Sequence, residues 1–288
     1  MKSKFLLSIS ISLLLGASSG AQIKTDTAKN ISGSIDAILF KLMVDYVSAD
    51  TLTLNISEFE KNNISHLGEQ HTLVIPILAN PGVYEQDNSS YDKFLPSVYH
   101  KEVTQGSPFL IPIYVPGLAV TSTYGIVNKK EYLYNYDKVT GNLLLKKDKE
   151  SPIAVDRELV NSFCLKLDKG GYIFMRVPLI NSNEFFQVIN RGSKYSCYKL
   201  FKNIFINANQ KTNGYITEGK DYDEYQDILT YYMVDEKKQE WTIFELTKKS
   251  IKKSLGPENN AVNKYFKDHK YEVVTESTLS NLVEELNK

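Results

Sequence analysis

The densest group of side chains able to do chemistry lies late in the chain, where Asp221, Asp223, Glu224 and Asp227 follow Glu218 within ten residues. Hard carboxylate oxygens at such spacing suit calcium, and convergence of Asp221, Asp223 and Asp227 on one point would let a divalent cation relieve their repulsion. The segment lacks the turning glycine and the terminal bidentate glutamate of an EF-hand loop, and Lys220 offers local compensation. The reading taken is a solvated loop leading into a strand, with Tyr222 and Tyr225 turned inward. It requires no metal and no other cofactor.

Other spacings approach known chemistry and then depart from it. His66, Glu69 and His71 resemble a metalloprotease zinc motif, but a five-residue separation turns the histidines away from each other on a helix. Gly214, Gly219 and Lys220 match the spacing of a phosphate-binding loop, yet Asp221 stands at the magnesium hydroxyl position and the segment that follows is acidic. His100 and His269 are isolated, and no G-x-S-x-G elbow presents a nucleophile. Cys164 and Cys197 sit in strand-like stretches, each on the face it shares with a lysine, Lys166 or Lys199. A cross-strand disulfide and two separate thiols both fit that pattern.

These residues need a scaffold, and its pattern is clearest after Gly117. Short β-branched or aromatic stretches run over 118–126, 132–136, 143–146, 153–155, 163–167, 172–177, 185–189, 195–200, 229–234 and 241–246. Turn signals such as Lys138-Val139-Thr140-Gly141 and Asp168-Lys169-Gly170-Gly171 separate them too closely for crossover helices. An antiparallel meander is expected, as an open sheet or an open barrel. Tyr134, Tyr136, Asp137, Gly141 and Leu143 resemble one copy of a tyrosine-aspartate repeat, but a single copy has no neighbour to stack on and reads as a hairpin.

Two to three helices should close the chain, giving an α+β fold. Leu279, Leu282, Val283 and Leu286 recur at helical spacing, Pro257 opens a helix through Val262, Tyr265 and Phe266, and 248–255 forms a short third. Upstream, Ile35, Ile38, Leu39, Leu42, Met43 and Tyr46 describe an amphipathic helix, followed by alternation over 51–56. The runs 73–78 and 109–115 are bounded or broken by Pro76, Pro112 and Pro116, so each reads as edge or extended chain; between them 80–107 reads as a long loop.

At the N-terminus, Lys2 and Lys4 precede the apolar run 5–15 and the small residues 16–21, the pattern of a signal peptide cleaved before Gln22. No cysteine follows that run, so a lipid anchor is not expected, and no second long apolar segment would span a membrane after cleavage. The domain plan is therefore a signal peptide over 1–21, an N-terminal segment over 22–105 and a β-rich domain with helices over 106–288. The chain carries 34 Lys+Arg against 34 Asp+Glu, and loss of Lys2 and Lys4 leaves 32 against 34. A near-neutral chain gives no support to nucleic-acid binding.

The stretches YLYNYDKVTGNLLLKKD (132–148), RGSKYSCYKL (191–200), GKDYDEYQDILTYYMV (219–234) and LTKKSIKKSL (246–255) resemble a family of secreted Bacteroidota proteins without assigned function. The resemblance covers about residues 106–288 and implies export to the periplasm or beyond, with no catalytic residue to carry over. With 19 tyrosines in a polar chain, the expected role is non-catalytic, binding an envelope protein or a glycan through aromatics on the sheet. The alternative is a hydrolase acting on an envelope polymer, which would need a carboxylate pair from the acidic cluster.

Overall fold

A computed structural model describes residues 36–49, 104–123, 125–147, 150–212, 217–256 and 259–288. The expected signal peptide, the strands at 51–56 and 73–78, His66, Glu69, His71, His100, Gly214 and Pro257 lie outside these residues. The chain divides into two units, Met1–Lys41 and Leu42–Lys288. Helix α1 covers 36–48; its first six residues are the described part of the first unit, and the remainder belongs to the second.

The second unit is an α+β assembly built on an open, eleven-stranded antiparallel sheet. Its strands are β1 (Val115–Thr121), β2 (Ile126–Val127), β3 (Tyr132–Asp137), β4 (Asn142–Lys147), β5 (Ile153–Ala154), β6 (Val160–Lys166), β7 (Gly171–Val177), β8 (Asn181–Arg191), β9 (Tyr195–Ile206), β12 (Glu224–Asp235) and β13 (Glu240–Phe244). The order across the sheet is β13-β12-β9-β8-β7-β6-β1-β3-β4-β5, with β2 folded back on β1. A separate hairpin, β10 (Lys211–Thr212) with β11 (Thr217–Glu218), interrupts the route from β9 to β12. Helices α2 (Lys248–Ser254), α3 (Asn260–Asp268) and α4 (Glu276–Asn287) follow.

Most expected strands are present, but two differ. The single stretch over 118–126 is a tight hairpin, because the Thr121 amide donates to the Gly125 carbonyl and the Gly125 amide to Thr121 Oγ1. Pro116 lies in a central strand, where it is tolerated because β1 changes partners there. Val115 and Pro116 pair with β3, and pairing with β6 starts at Gly117. A Cβ at Gly117 would stand 2.5 Å from the Cys164 carbonyl oxygen and 2.8 Å from the Tyr134 ring, so the crossing admits no side chain. The 109–113 segment is held by Asn135, whose side-chain amide donates to the Ile111 carbonyl at 2.7 Å and accepts from the Ile111 amide at 3.3 Å.

Paired residues share a face of a sheet. One face, the inner, carries Phe163, Phe174, Phe185 and Phe201, whose rings contact one another. At the β1 end, β3–β5 fold over this face and stack Tyr136 on Phe174 at 4.8 Å. At the β13 end, α2–α4 cover it through Leu279, Leu282, Val283 and Leu286, all four buried as their spacing requires. Helix α3 begins at Asn260 with Asn259 as its cap, later than a start at Pro257, because the Asn259 side chain accepts from the Ala261 and Val262 amides.

Between the two covers sits a buried cation. Lys199 is 5% exposed, and its Nζ donates to Glu276 Oε1 at 2.7 Å, an oxygen that also accepts from the Tyr231 hydroxyl at 2.7 Å. Glu276 opens α4. At the helix's other end, Asn287 accepts from the Lys194 and Tyr195 amides and donates to the Tyr195 carbonyl. The opposite, outer face takes the second half of α1, where Lys166 donates to the Tyr46 and Ala49 carbonyls and so closes that helix's C-terminus. Among the described residues no helix is long and apolar enough to cross a membrane.

Two outcomes follow from this packing. Glu276→Ala strands Lys199 without its counter-charge and should cost roughly 3 kcal/mol in urea unfolding, the low end for a broken buried pair because Glu276 is a third exposed. Lys199→Met in the same chain should recover most of that loss; no recovery would mean the pair is not what the site needs. Burial also pushes Tyr46 and Tyr114 up to about 12 and raises Tyr134, Tyr136 and Tyr231. An unfolded tyrosine ionises near pH ~10, so above that pH the unfolded chain sheds protons that the folded chain keeps. The contribution is complete below pH ~10 and is lost as pH rises toward the folded values. Urea midpoints should therefore be insensitive to this set of groups at neutral pH and fall steeply above pH ~10.

Candidate functional site

The acidic residues go to separate partners. Asp223 turns inward, 5% exposed, and its carboxylate accepts from the Ala208 amide at 2.8 Å. Asp227 stays near the surface and accepts from Lys138 Nζ and Asn203 Nδ2, each at 2.6 Å. Glu224 pairs with Lys220, and Asp221 lies half-buried in the bend before β12. Tyr222 and Tyr225 are half-buried, so the inward position expected of the tyrosines is taken instead by Asp223. Among the described residues no three His, Cys, Asp or Glu side chains are grouped to hold a metal ion.

The remaining motifs take structural roles. Gly219 and Lys220 follow the β10–β11 hairpin, with no helix behind them to cradle a phosphate. His269 caps α3, stacked on the Tyr265 ring at 4.2 Å. Tyr134, Tyr136 and Asp137 form the β3–β4 hairpin, whose turn is held by the Val139 and Thr140 amides donating to Asp137 Oδ1. Gly141 completes it at φ 72°, a left-handed backbone that glycine takes without strain.

The Cys164–Cys197 disulfide does not form; both thiols are free. Two strands, β7 and β8, separate them, and three inter-strand steps put their Cα atoms on the order of 14 Å apart. They also face opposite ways. Cys164 pairs with Ile173 on the outer face, whereas Cys197 pairs with Met233 under the helices. Burial pushes the Cys164 thiol up to about 12, which makes it a poor nucleophile.

A small apolar cavity of about 10 Å³ lies between Ala119, Val127, Tyr134, Leu143 and Val155. A small-molecule site needs roughly 300 Å³ or more. Burial works against the Asp235 charge, but hydrogen bonds from the Lys238 and Lys237 amides and the Lys238 ammonium outweigh it and hold that carboxyl below its usual range. A carboxyl so held is no general acid near neutral pH.

The outer face offers something different. The last β8–β9 pair is Gln187 with Lys199, and β13 reaches only to Tyr231, so 200–206 and 224–230 continue as a two-stranded ribbon. The β3–β4 turn sits against one flank, with the Asn203 amide donating to the Lys138 carbonyl. Ile204 and Ile228 on the ribbon, each 44% exposed, share the outer face with Tyr232, and β13 adds Ile243 and Trp241. Tyr232 meets Trp241 edge-on at 5.7 Å and roots the stripe by an edge-on contact to buried Phe186 at 5.4 Å. Lys202 on this face is bound by Glu184, which compensates its charge.

Sequence reasoning missed Ile204, Ile228 and Ile243 as surface residues. The doublets Ile204-Phe205 and Ile228-Leu229 were the available signal, since adjacent apolar residues in a strand face opposite sides; the ribbon buries neither member of either doublet, and Phe205 and Leu229 on its inner face are each 45% exposed. No family model, no curated protein and no solved structure matches the chain.

The separate partners of Asp223, Glu224 and Asp227 set one expectation. Thermal melts in millimolar calcium and in chelator should superimpose. A reproducible upward shift with calcium would require these carboxylates to converge.

Proposed function

We propose that this is a non-catalytic binding protein of the bacterial envelope or its surroundings, working outside the cytoplasm and engaging a partner protein or glycan through the outer face of β9, β12 and β13. The observation that carries the reading is the stripe of Ile204, Ile228, Tyr232, Ile243 and Trp241, apolar and half-exposed, rooted in buried aromatics. Soluble folds leave single apolar side chains in water freely, whereas contiguous ones with an aromatic at the centre are what binding faces use. Export and a Bacteroidota-like source belong to the proposal through the signal pattern and the four quoted stretches.

A hydrolase acting on an envelope polymer finds less support. Asp223 and Asp227 accept from an amide, a lysine and an asparagine, whereas such a hydrolase needs two carboxylates facing one scissile bond.

Immobilised protein should retain a component of the cell envelope of its own source, and Ile228→Asp should lose at least tenfold in that retention at an unchanged melting temperature. Equal retention by Ile228→Asp and the native chain would remove the stripe as the binding face.

A further inference from the structure

Strand β13 ends the sheet. It pairs with β12 over five residues without a register shift, and it has no neighbour on its other side among the described residues. Among the described residues its outer backbone row is open, and Glu240, Trp241, Thr242 and Ile243 are all exposed. Folded proteins commonly guard such an edge with lysine, proline, a bulge or extreme shortness. The opposite edge uses the last of these, since β5 has two residues. Within β13 there is neither lysine nor proline nor bulge.

An open strand edge is complementary to another strand, and the side chains of β13 specify which. Trp241 (41% exposed) and Ile243 (59% exposed) flank Thr242 on the outer face, a pattern that reads the same in both directions. Antiparallel pairing of two copies about Thr242 sets Trp241 of each beside Ile243 of the other, an aromatic and β-branched pair made twice. Charge selects the same direction. The N-terminal end of the strand carries Asp235, Glu236 and Glu240 against Lys237 and Lys238, and the C-terminal end carries Lys248 and Lys249 against Glu245, so an antiparallel pair brings ends of opposite net charge together, while a parallel pair sets like against like.

We propose that the chain forms a two-fold dimer by antiparallel pairing of β13 with β13 of a second copy, centred on Thr242. This deepens the binding reading above, because it uses the outer end of the same stripe and leaves Ile204 and Ile228 free on a sheet now continuous across both copies. Five-residue strands cover less than the ~1,200 Å² of a standard stable interface, so the dimer is a concentration-dependent one.

The test uses the full chain. Sedimentation across a concentration series should show monomer passing to dimer, and Ile243→Lys should weaken that association at least tenfold without changing the melting temperature of dilute protein. At the two-fold axis, residues 242 of the two copies face each other with Cα atoms about 4.5–5.5 Å apart, within disulfide reach. Thr242→Cys should therefore give a covalent dimer under mild oxidation, while Glu236→Cys should not; the native thiols are fully buried and do not compete. A chain that stays monomeric, or a dimer indifferent to Ile243→Lys and not cross-linked through position 242, overturns the proposal. A monomer that still loses its envelope partner on Ile228→Asp would overturn the dimer alone and leave the binding face standing.

Discussion

Apart from Phe205 and Leu229 on the ribbon, the inner face of the sheet has to be kept dry, and no single element is long enough to do it. Two unrelated covers achieve this together, the β3–β5 layer over the phenylalanine cluster and the three C-terminal helices over Cys197, Tyr231, Met233 and Phe244. Lys199 stands at their junction, its ammonium 4.3 Å from the centre of the Phe201 ring and bonded to Glu276. A lysine at the seam is costly unless paired. That constraint fixes the first turn of α4 over β9 and β12, and hence which residues of that helix face the sheet.

The outer face is governed by the opposite condition. Near β1 and β6 it is covered by the second half of α1, and around Phe186, Tyr198, Leu200 and Val234 it forms a buried cluster with Leu179 and Ile180. Further toward β13 and the ribbon it opens to solvent. The same strands thus carry core residues on one side and a half-exposed apolar stripe on the other. Strand propensity is satisfied in both settings, so alternation alone does not separate them.

That ambiguity explains what could be read from the residues. The meander, most of its strands and the buried stripe of α4 were legible, because periods of 2 and 3.6 repeat over enough residues to be unmistakable. Pro116 was misread, since a proline in a central strand is allowed only where the strand exchanges neighbours, and the exchange is a long-range fact. The role of Asn135 in holding 109–113 was invisible for the same reason. Proximity of acidic letters was a poor guide to a site: Asp223 and Asp227 are four residues apart, and one turns into the fold while the other pairs with a lysine 89 positions away.

The contacts that seat α4 also impose an order of events. Glu276 reaches back 77 positions to Lys199, Ser280 bonds Asn190 across 90, and Asn287 holds Lys194 across 93. A chain that emerges N-terminus first, from a ribosome or through a membrane pore, exposes β8, β9 and β12 well before residues 276–287 arrive to cover them. During that interval Tyr231, Met233 and Cys197 lie open on a strand surface, so the nascent protein is vulnerable to off-pathway association from the emergence of β12 until α4 docks.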